Sequence, residues 1–251
     1  MRKRNVFVLL IVGLFAGCNT PQKKETEESS AVTEPVKKEA PEGPIYGLDI
    51  SHFQGNVSWD QVKKDGIRFA FAKATQGVNY SDPNYAQNVS SANDAGIPIG
   101  SYHFYMSMDD PERQADHFVS VVGEVADGDM PPVLDLEQGG IRASDDKQKF
   151  QADVLKWLDI VEKKLGMKPI IYTNNPFGNE YLTDSKFANY QLWVAEYTKA
   201  EKPNVPETWK DKGWLMWQRS QRGVYTGVPG QNVDHDVFNG TSEALQSLTK
   251  K

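Results

Sequence analysis

The sequence predicts an α/β fold, an irregular TIM-like (β/α) barrel with eight strands and fewer than eight full helices. Short apolar runs rich in Val, Ile, Tyr and Phe alternate with longer amphipathic stretches, as strands alternate with helices in a parallel sheet. About eight such runs follow Pro44, and eight strands are the number that closes this type of barrel. The chain of 251 residues is also long enough, because one such domain usually takes about 200 to 250 residues.

The elements can be placed in order along the chain. Strands are predicted at 46–51, 69–75, 98–105, 132–137, 169–173, 191–197, 215–219 and 234–238. Helical periodicity is found at 58–65, 83–95, 111–125 and 145–165. The second half of the chain has fewer helical patterns, so we expect the barrel to be irregular there.

The first 18 residues have the pattern of a secretory signal peptide. Three basic residues precede an apolar run at 6–16, which is shorter than the roughly 20 residues that cross a bilayer. The run ends in LFAGC at 14–18, which resembles a bacterial lipobox, although Phe15 stands where that motif more often has Leu. Cys18 is the only cysteine, so it can form no intramolecular disulfide. We expect Cys18 to carry a lipid anchor, with plain secretion as the alternative.

Residues 19–44 are expected to form a disordered tether. From 20 to 44 the segment consists almost entirely of Lys, Glu, Thr, Ser, Pro, Ala and Gln, with two Val and no aromatic residue. Such a composition cannot bury enough apolar surface to fold. The globular barrel is therefore predicted at 45–251.

Charge and motif content disfavour several kinds of partner. The formal net charge is −6, and removal of the three basic residues before position 5 makes it −9, so the mature chain has no general basic surface for nucleic acid. His52, His103 and His235 match no compact metal motif and are interpreted as structural or substrate-contacting residues. No phosphate-binding glycine loop or nucleophile elbow is present in the sequence. We expect a monomer without cofactor or metal that contacts the membrane through its N-terminal anchor alone.

The sharpest local signal is the run PPVLDLE at 131–137, an apolar strand that ends in two carboxylates. Side chains alternate along a strand, so Asp135 and Glu137 point to the same side, here the barrel interior at the strand's carboxyl end. Two carboxyls held together in a partly dry site raise one another's pKa, so that one can stay protonated and donate to a leaving oxygen. This is the chemistry of glycoside cleavage. Taken alone, an Asp-x-Glu pair more often begins a loop or caps a helix.

Two further acids fall near strands at the same predicted face. Asp49 follows the run YGL, and Asp234 lies in NVDHD at the last strand. Asp49 alone would be an unremarkable turn residue. Four acids from three strands at one barrel mouth, where barrel enzymes place their catalytic groups, instead predict an active site.

Aromatic residues recur at the same strand ends. Flat rings beside acids suit sugar recognition, because the apolar faces of sugars stack on them while polar neighbours bond the hydroxyls. Any single ring taken alone favours a core role, whereas the set favours binding. The set comprises Tyr102, Phe104, Tyr105, Tyr172, Trp193, Tyr197 and Trp217 beside Gln218.

In these motifs the sequence resembles glycoside hydrolase family 25, the Chalaropsis-type lysozymes or N-acetylmuramidases. The resemblance covers residues 46–238. It is carried, in order, by GLDISHFQG at 47–55, Trp59, Gly66, FAKAT at 71–75, GSYHF at 100–104, QADHF at 114–118, LDLE at 134–137, IIYT at 170–173, LWVA at 192–195, MWQ at 216–218 and VD at 233–234.

The resemblance implies a role for each matching residue. Glu137 is expected to be the general acid and Asp135 its essential partner, with Asp49 and Asp234 completing an acidic floor. Gln76 departs from the family, which usually has Glu after Lys-Ala-Thr, and this puts the preference among modified substrates in doubt. The expected substrate-binding residues are Lys73, Gln76, Tyr102, His103, Tyr172, Trp193, Tyr197, Trp217 and Gln218.

The implied activity is hydrolysis of the β-1,4 bond between N-acetylmuramic acid and N-acetylglucosamine in peptidoglycan, outside the cytoplasm. Asn19 rather than Asp follows Cys18, so in a cell with two membranes we expect the outer one. A peptidoglycan-binding lipoprotein without catalysis is the alternative. An enzyme of chitin or another acetylated glycan is disfavoured, because Pro131 and Val133 occupy the places of the aspartates in the longer chitinase signature.

Overall fold

The computed structural model describes residues 43–230 and 232–251. The predicted signal peptide, the lipidation site Cys18 and nearly all of the predicted tether lie outside these residues. Within them the chain forms nine strands: β1 (Ile45–Ile50), β2 (Ile67–Gln76), β3 (Tyr80–Ser81), β4 (Ile99–Phe104), β5 (Val133–Asp135), β6 (Ile170–Asn174), β7 (Gln191–Ala195), β8 (Met216–Gly223) and β9 (Val233–Phe238).

Eight of these strands close into a barrel, which confirms the predicted fold class. The sheet runs β1-β9-β8-β7-β6-β5-β4-β2, and β1 pairs again with β2 to close it. All eight correspond to predicted strands. The two-residue β3 was not predicted, and it pairs antiparallel with the end of β2 outside the closed ring.

Six α-helices occur in the described residues: α1 (Trp59–Lys64), α2 (Tyr85–Asp94), α3 (Pro111–Val122), α4 (Lys147–Leu165), α5 (Asn175–Tyr181) and α6 (Ser242–Leu248). The first four match the predicted helices, and α5 and α6 were missed although both have capping residues. Asn174 accepts from the Phe177 amide and Thr241 from the Ala244 amide. No helix in this part of the chain is long and apolar enough to cross a bilayer.

The direction of the last strand differs from the prediction of a parallel sheet. Strand β9 runs antiparallel to both of its neighbours, β1 and β8. Asp234 lies near the start of β9, and a parallel strand would carry it to the opposite end of the barrel. The reversal brings Asp234 to the end where β1 and β5 finish, beside Asp49 and Asp135.

Side-chain alternation divides the apolar residues into two groups. One group packs between the outside of the barrel and the helices and includes Leu48, Leu134 and Trp157. The other fills the lower half of the barrel, where Phe71 and Trp193 have ring centroids 4.8 Å apart. Burial of each such side chain stabilises the fold by about 1.5 to 3 kcal/mol. The lower half is thus a solid core, and only the upper half is left open for a site.

Candidate active site

A pocket of about 310 Å³ opens at the carboxyl ends of the parallel strands. The barrel brings together most of the residues predicted for the site. Those that line the pocket are Asp49, Lys73, Tyr102, Phe104, Asp135, Glu137, Tyr172, Trp193, Tyr197, Gln218 and Asp234. Three further lining residues, Phe53, Gln54 and Gln221, were not among the predicted ones.

Asp135 and Glu137 lie side by side on one wall. Asp135 ends β5 and is buried, and its Oδ1 has no hydrogen-bond partner within the described residues. Glu137 begins the 3-10 turn Gln138–Gly140 and is only partly buried. Burial raises the pKa of both carboxyls, the Glu137 charge raises that of Asp135 further, and Lys73 opposes both shifts. The pair therefore holds on to a proton more strongly than exposed carboxyls do.

Three more acids lie on β1 and β9. Asp49 accepts a hydrogen bond of 2.8 Å from Gln218 Nε2, and burial followed by the charges of Asp234 and Asp236 raises its pKa well above the ordinary value. Burial raises the pKa of Asp234 to about 6. Asp236 has no exposed surface, accepts 3.0 Å from Trp193 Nε1, and also has a raised pKa through burial. The three carboxyls of this cluster therefore hold protons more strongly than exposed carboxyls do.

Asp236 was not among the predicted site residues, although the sequence points to it. Asp236 follows Asp234 by two residues on one strand, so both side chains point into the barrel. It lies deeper than Asp234, level with the apolar core that contains Trp193.

Lys73 is the one cation among the described residues that line the pocket. Its Nζ donates 2.8 Å to Gln76 Oε1 and lies 4.9 Å from the centroid of the Phe104 ring. Burial lowers the pKa of Lys73, while the charges of Asp135, Asp82 and Glu137 act in the opposite direction. Gln76 does not line the pocket, and it reaches the site through this hydrogen bond.

Gln218 connects the aromatic wall to the acids. Its Oε1 accepts from the Tyr172 hydroxyl at 2.9 Å and from the Tyr197 hydroxyl at 2.7 Å, while its Nε2 donates to Asp49. Because these bonds fix both ends of the amide, the two rings and the carboxyl are held as one unit. Tyr197 remains more than half exposed at the rim.

His103 and Trp217, predicted to bind substrate, do not reach the pocket. His103 has no exposed surface, contacts Thr75 Oγ1 at 2.7 Å and Gln114 Oε1 at 3.1 Å, and burial lowers its pKa to about 3. Trp217 is buried among the outer group and donates to the Glu196 carbonyl. Each directly follows or precedes a residue that faces inward, so alternation turns it outward. We therefore assign both to the core.

The other two predicted histidines have structural partners. His52 contacts Asp82 and Tyr80, and His235 contacts Tyr225 and packs against Tyr46, with the two ring planes tilted by 40°. In residues 43–230 and 232–251, no group of three or more histidine, cysteine, aspartate or glutamate residues is arranged to hold a metal ion.

A closed β/α barrel with paired carboxyls of raised pKa and aromatic side chains at its mouth is the arrangement of a glycoside hydrolase. Comparison with known proteins identifies the family. The model of glycosyl hydrolases family 25 matches residues 48–228, and the chain belongs to this family.

Two relatives and one solved structure illustrate the likeness. The chain is 37% identical over 209 residues to the uncharacterized protein YegX of Escherichia coli K12, which covers 81% of this chain and 73% of the relative. It is 31% identical over 212 residues to lysozyme M1 of Streptomyces globisporus, covering 81% and 71%. The bacterial lysozyme of Streptomyces coelicolor superposes with a TM-score of 0.77 at 31% identity, covering 82% of this chain and 97% of the other.

Proposed function

We propose that this protein is a lysozyme that hydrolyses the β-1,4 bond between N-acetylmuramic acid and N-acetylglucosamine in bacterial peptidoglycan. Its membership of glycosyl hydrolases family 25 and its likeness to two proteins named lysozymes support the substrate. One observation carries the proposal: Asp135 and Glu137 lie together in an open pocket, and the pKa of each is raised chiefly by burial.

Glu137 is the proposed general acid. It is the more accessible of the pair, and a protonated carboxyl at the mouth can donate to the glycosidic oxygen as the bond breaks. Lys73 opposes the rise in its pKa, which keeps proton release within reach after the transfer. The acid must be protonated before cleavage and ionised after it, and the balance of burial and charge suits both states.

Asp135 is proposed to assist through the substrate. Asp135 lines the pocket and keeps a small exposed surface, so its carboxylate can accept the N–H of the acetamido group whose oxygen attacks the anomeric carbon. Substrate assistance of this kind is a recognised route for glycoside hydrolases. The rival route is direct attack by water, with Asp49 or Asp234 as base.

Glu137→Gln tests the proposal directly. We expect it to lower kcat on purified peptidoglycan at least roughly hundredfold, the size usual for loss of a general acid. Glu112→Gln, on the exposed face of α3, is the matched control and should keep full activity. Equal clearing by the Glu137→Gln variant and the wild type would reduce the protein to a wall-binding module.

The cleaved bond is identified by mass spectrometry of the released fragments. A reducing muramic acid end supports the proposal, and a reducing glucosamine end contradicts it. Proton NMR of the first anomer released from a muramyl oligosaccharide decides between the two routes, because an inverted product eliminates attack by the acetamido group.

We also propose that the enzyme acts outside the cytoplasm as a monomer anchored through a lipid on Cys18. The proposal rests on the LFAGC sequence at 14–18 and the polar segment after it. Action on the cell wall agrees with such a location.

A further inference from the structure

Phe53 is the most exposed large hydrophobic side chain in the described part of the chain. It is 81% exposed, and it lines the catalytic pocket at the turn after β1. His52 and Tyr80 continue the same surface away from the pocket. The centroid of the His52 ring lies 4.0 Å from that of Phe53 and 6.2 Å from that of Tyr80. We call these three rings, Phe53, His52 and Tyr80, the rim shelf.

The rim shelf is held rigidly from below. His52 Nδ1 lies 2.7 Å from Asp82 Oδ2, and the Asp82 side chain is fully buried. The same carboxylate accepts 3.0 Å from the His52 amide and 3.0 Å from the Asn84 amide. The Tyr80 hydroxyl also reaches His52 Nδ1 at 3.0 Å. A buried carboxylate with this many partners fixes the histidine ring on which Phe53 rests.

The turn that carries Phe53 is fixed as well. Ser51 and Gln54 form a capping box around it, in which the Ser51 amide donates 2.8 Å to Gln54 Oε1. Phe53 is therefore held in the solvent by its backbone. An exposed aromatic ring at the edge of a pocket gains nothing for the fold, and it fits a ligand with an apolar face.

The occupant that fits best is a sugar. Gln54 follows Phe53 and also lines the pocket, so its amide can bond hydroxyl groups of a pyranose that lies against the Phe53 ring. The one acid of the shelf, Asp82, is buried and already paired, so the surface offers no free carboxylate to a cationic group. Lys73, whose Nζ lies 5.7 Å from the centroid of the Tyr80 ring, donates to Gln76.

We propose that the rim shelf, at the edge of the acid pocket, is an additional binding site for an N-acetylated hexosamine of the same glycan strand, beyond the two sugars that flank the cleaved bond. The identity of the glycan is taken from the proposed function, whereas the binding site itself is inferred from the rim shelf. A strand that is also bound at the rim shelf would be cleaved better when it is long than when it is short.

The test compares Phe53→Ala with wild type on peptide-free glycan oligomers of increasing length. We expect kcat/KM on long oligomers to fall roughly three- to tenfold, the effect of one stacking contact, and that on the shortest cleavable oligomer to fall less. Phe53→Trp should restore the preference for length. Val224→Ala is the matched control, because Val224 is 71% exposed but does not line the pocket.

Binding is measured separately in the Glu137→Gln background, so that failure of the proposed cleavage is distinguished from failure of the shelf. Glu137→Gln should bind a long oligomer more tightly than Glu137→Gln with Phe53→Ala, whichever bond the wild type cuts. An equal loss on all lengths, or no loss at all, overturns the proposal. A loss confined to substrates that carry stem peptides would assign the shelf to the peptide and overturn the sugar site.

Discussion

Lys73 lowers the pKa of the carboxyl pair Asp135 and Glu137, and the side chain at position 76 is the hydrogen-bond partner of Lys73. The Lys73 ammonium lowers the pKa of both Asp135 and Glu137, against the effect of burial. Its direct polar partner, Gln76, is a neutral amide, so no carboxylate within salt-bridge distance offsets the ammonium in the described residues. The Lys73 charge therefore acts on the pair without a neutralising carboxylate at position 76.

Gln76→Glu should shift the pH dependence of catalysis. A carboxylate at position 76 would cancel part of the Lys73 charge, so the pKa of both Glu137 and Asp135 would rise. Glu137 acts protonated and Asp135 ionised in the proposed mechanism, so both limbs of the kcat/KM profile should move to higher pH.

Gln76→Met is the control, because it removes the hydrogen bond without adding charge. Its maximal kcat/KM should fall, while the pH dependence of kcat/KM should stay where it is in the wild type. Movement of both variants alike, or of neither, would show that position 76 acts on the geometry of Lys73 and not through charge.

His103 should make stability depend on pH. Folding lowers its pKa from 6.5 to about 3, so the folded state keeps it neutral while the unfolded chain takes up a proton below about pH 6.5. The contribution of neutral His103 to the free energy of unfolding is complete above pH 6.5. It is lost as the pH falls towards 3, by at most about 1.4 kcal/mol per pH unit.

His103→Gln should be less stable than the wild type at pH 7 by about 1 to 3 kcal/mol, because Thr75 and Gln114 lose a well-placed partner. The two urea denaturation curves should approach one another between pH 6.5 and 4, since the variant has no group to protonate there. A constant difference over that range would mean that His103 is not kept neutral by the fold.

At the scale of the element, the turn that carries Glu137 is fixed against β4 by a glycine. A Cβ on Gly140 would lie 2.0 Å from the Tyr105 carbonyl oxygen, and the Gly140 carbonyl accepts 2.7 Å from the Ser107 amide. Only glycine allows the two backbones to approach this closely.

Gly140→Ala should therefore displace Glu137 and lower kcat/KM by roughly ten- to hundredfold, since a shift of about 1 Å in a catalytic group can cost hundredfold. Gly139→Ala is the matched control, because its Cβ would meet only the end of the Phe104 ring, at 3.2 Å. We expect the smaller loss there. Thermal denaturation of both variants shows whether lost activity exceeds lost stability, and similar activity in the two would exclude the positioning role.

The eight barrel strands were predictable because each is a short apolar run between polar stretches. The direction of β9 was not predicted, although the absence of a helical pattern between β8 and β9 was a usable signal. Parallel strands need a long crossover, whereas antiparallel neighbours can be joined by a loop. Tyr102 and His103 were both predicted to bind substrate, but neighbouring residues on a strand face opposite sides, so only Tyr102 reaches the pocket.

At the scale of the molecule, the barrel separates stability from chemistry along its axis. The lower half is filled by apolar side chains such as Phe69, Met216 and Phe238, and it needs no polar partner. The upper half holds buried acids, whose burial lowers the stability of the fold. Gln218 and Trp193 donate hydrogen bonds to two of them, and the charge of Lys73 favours the ionised form of a third. This arrangement follows from strands that carry apolar residues at their lower inward positions and polar ones at the mouth, a pattern readable in the sequence of β5.

The chain enters the barrel at the end opposite the mouth, because Ile45 at the start of β1 belongs to the lower core. The proposed lipid anchor on Cys18 can be tested by its removal. Cys18→Ser should abolish the incorporation of labelled fatty acid that we expect for the wild type. Its specific activity on isolated peptidoglycan should stay unchanged, because the barrel itself is intact. Wild-type protein that takes up no fatty acid and is found in the soluble fraction would favour plain secretion.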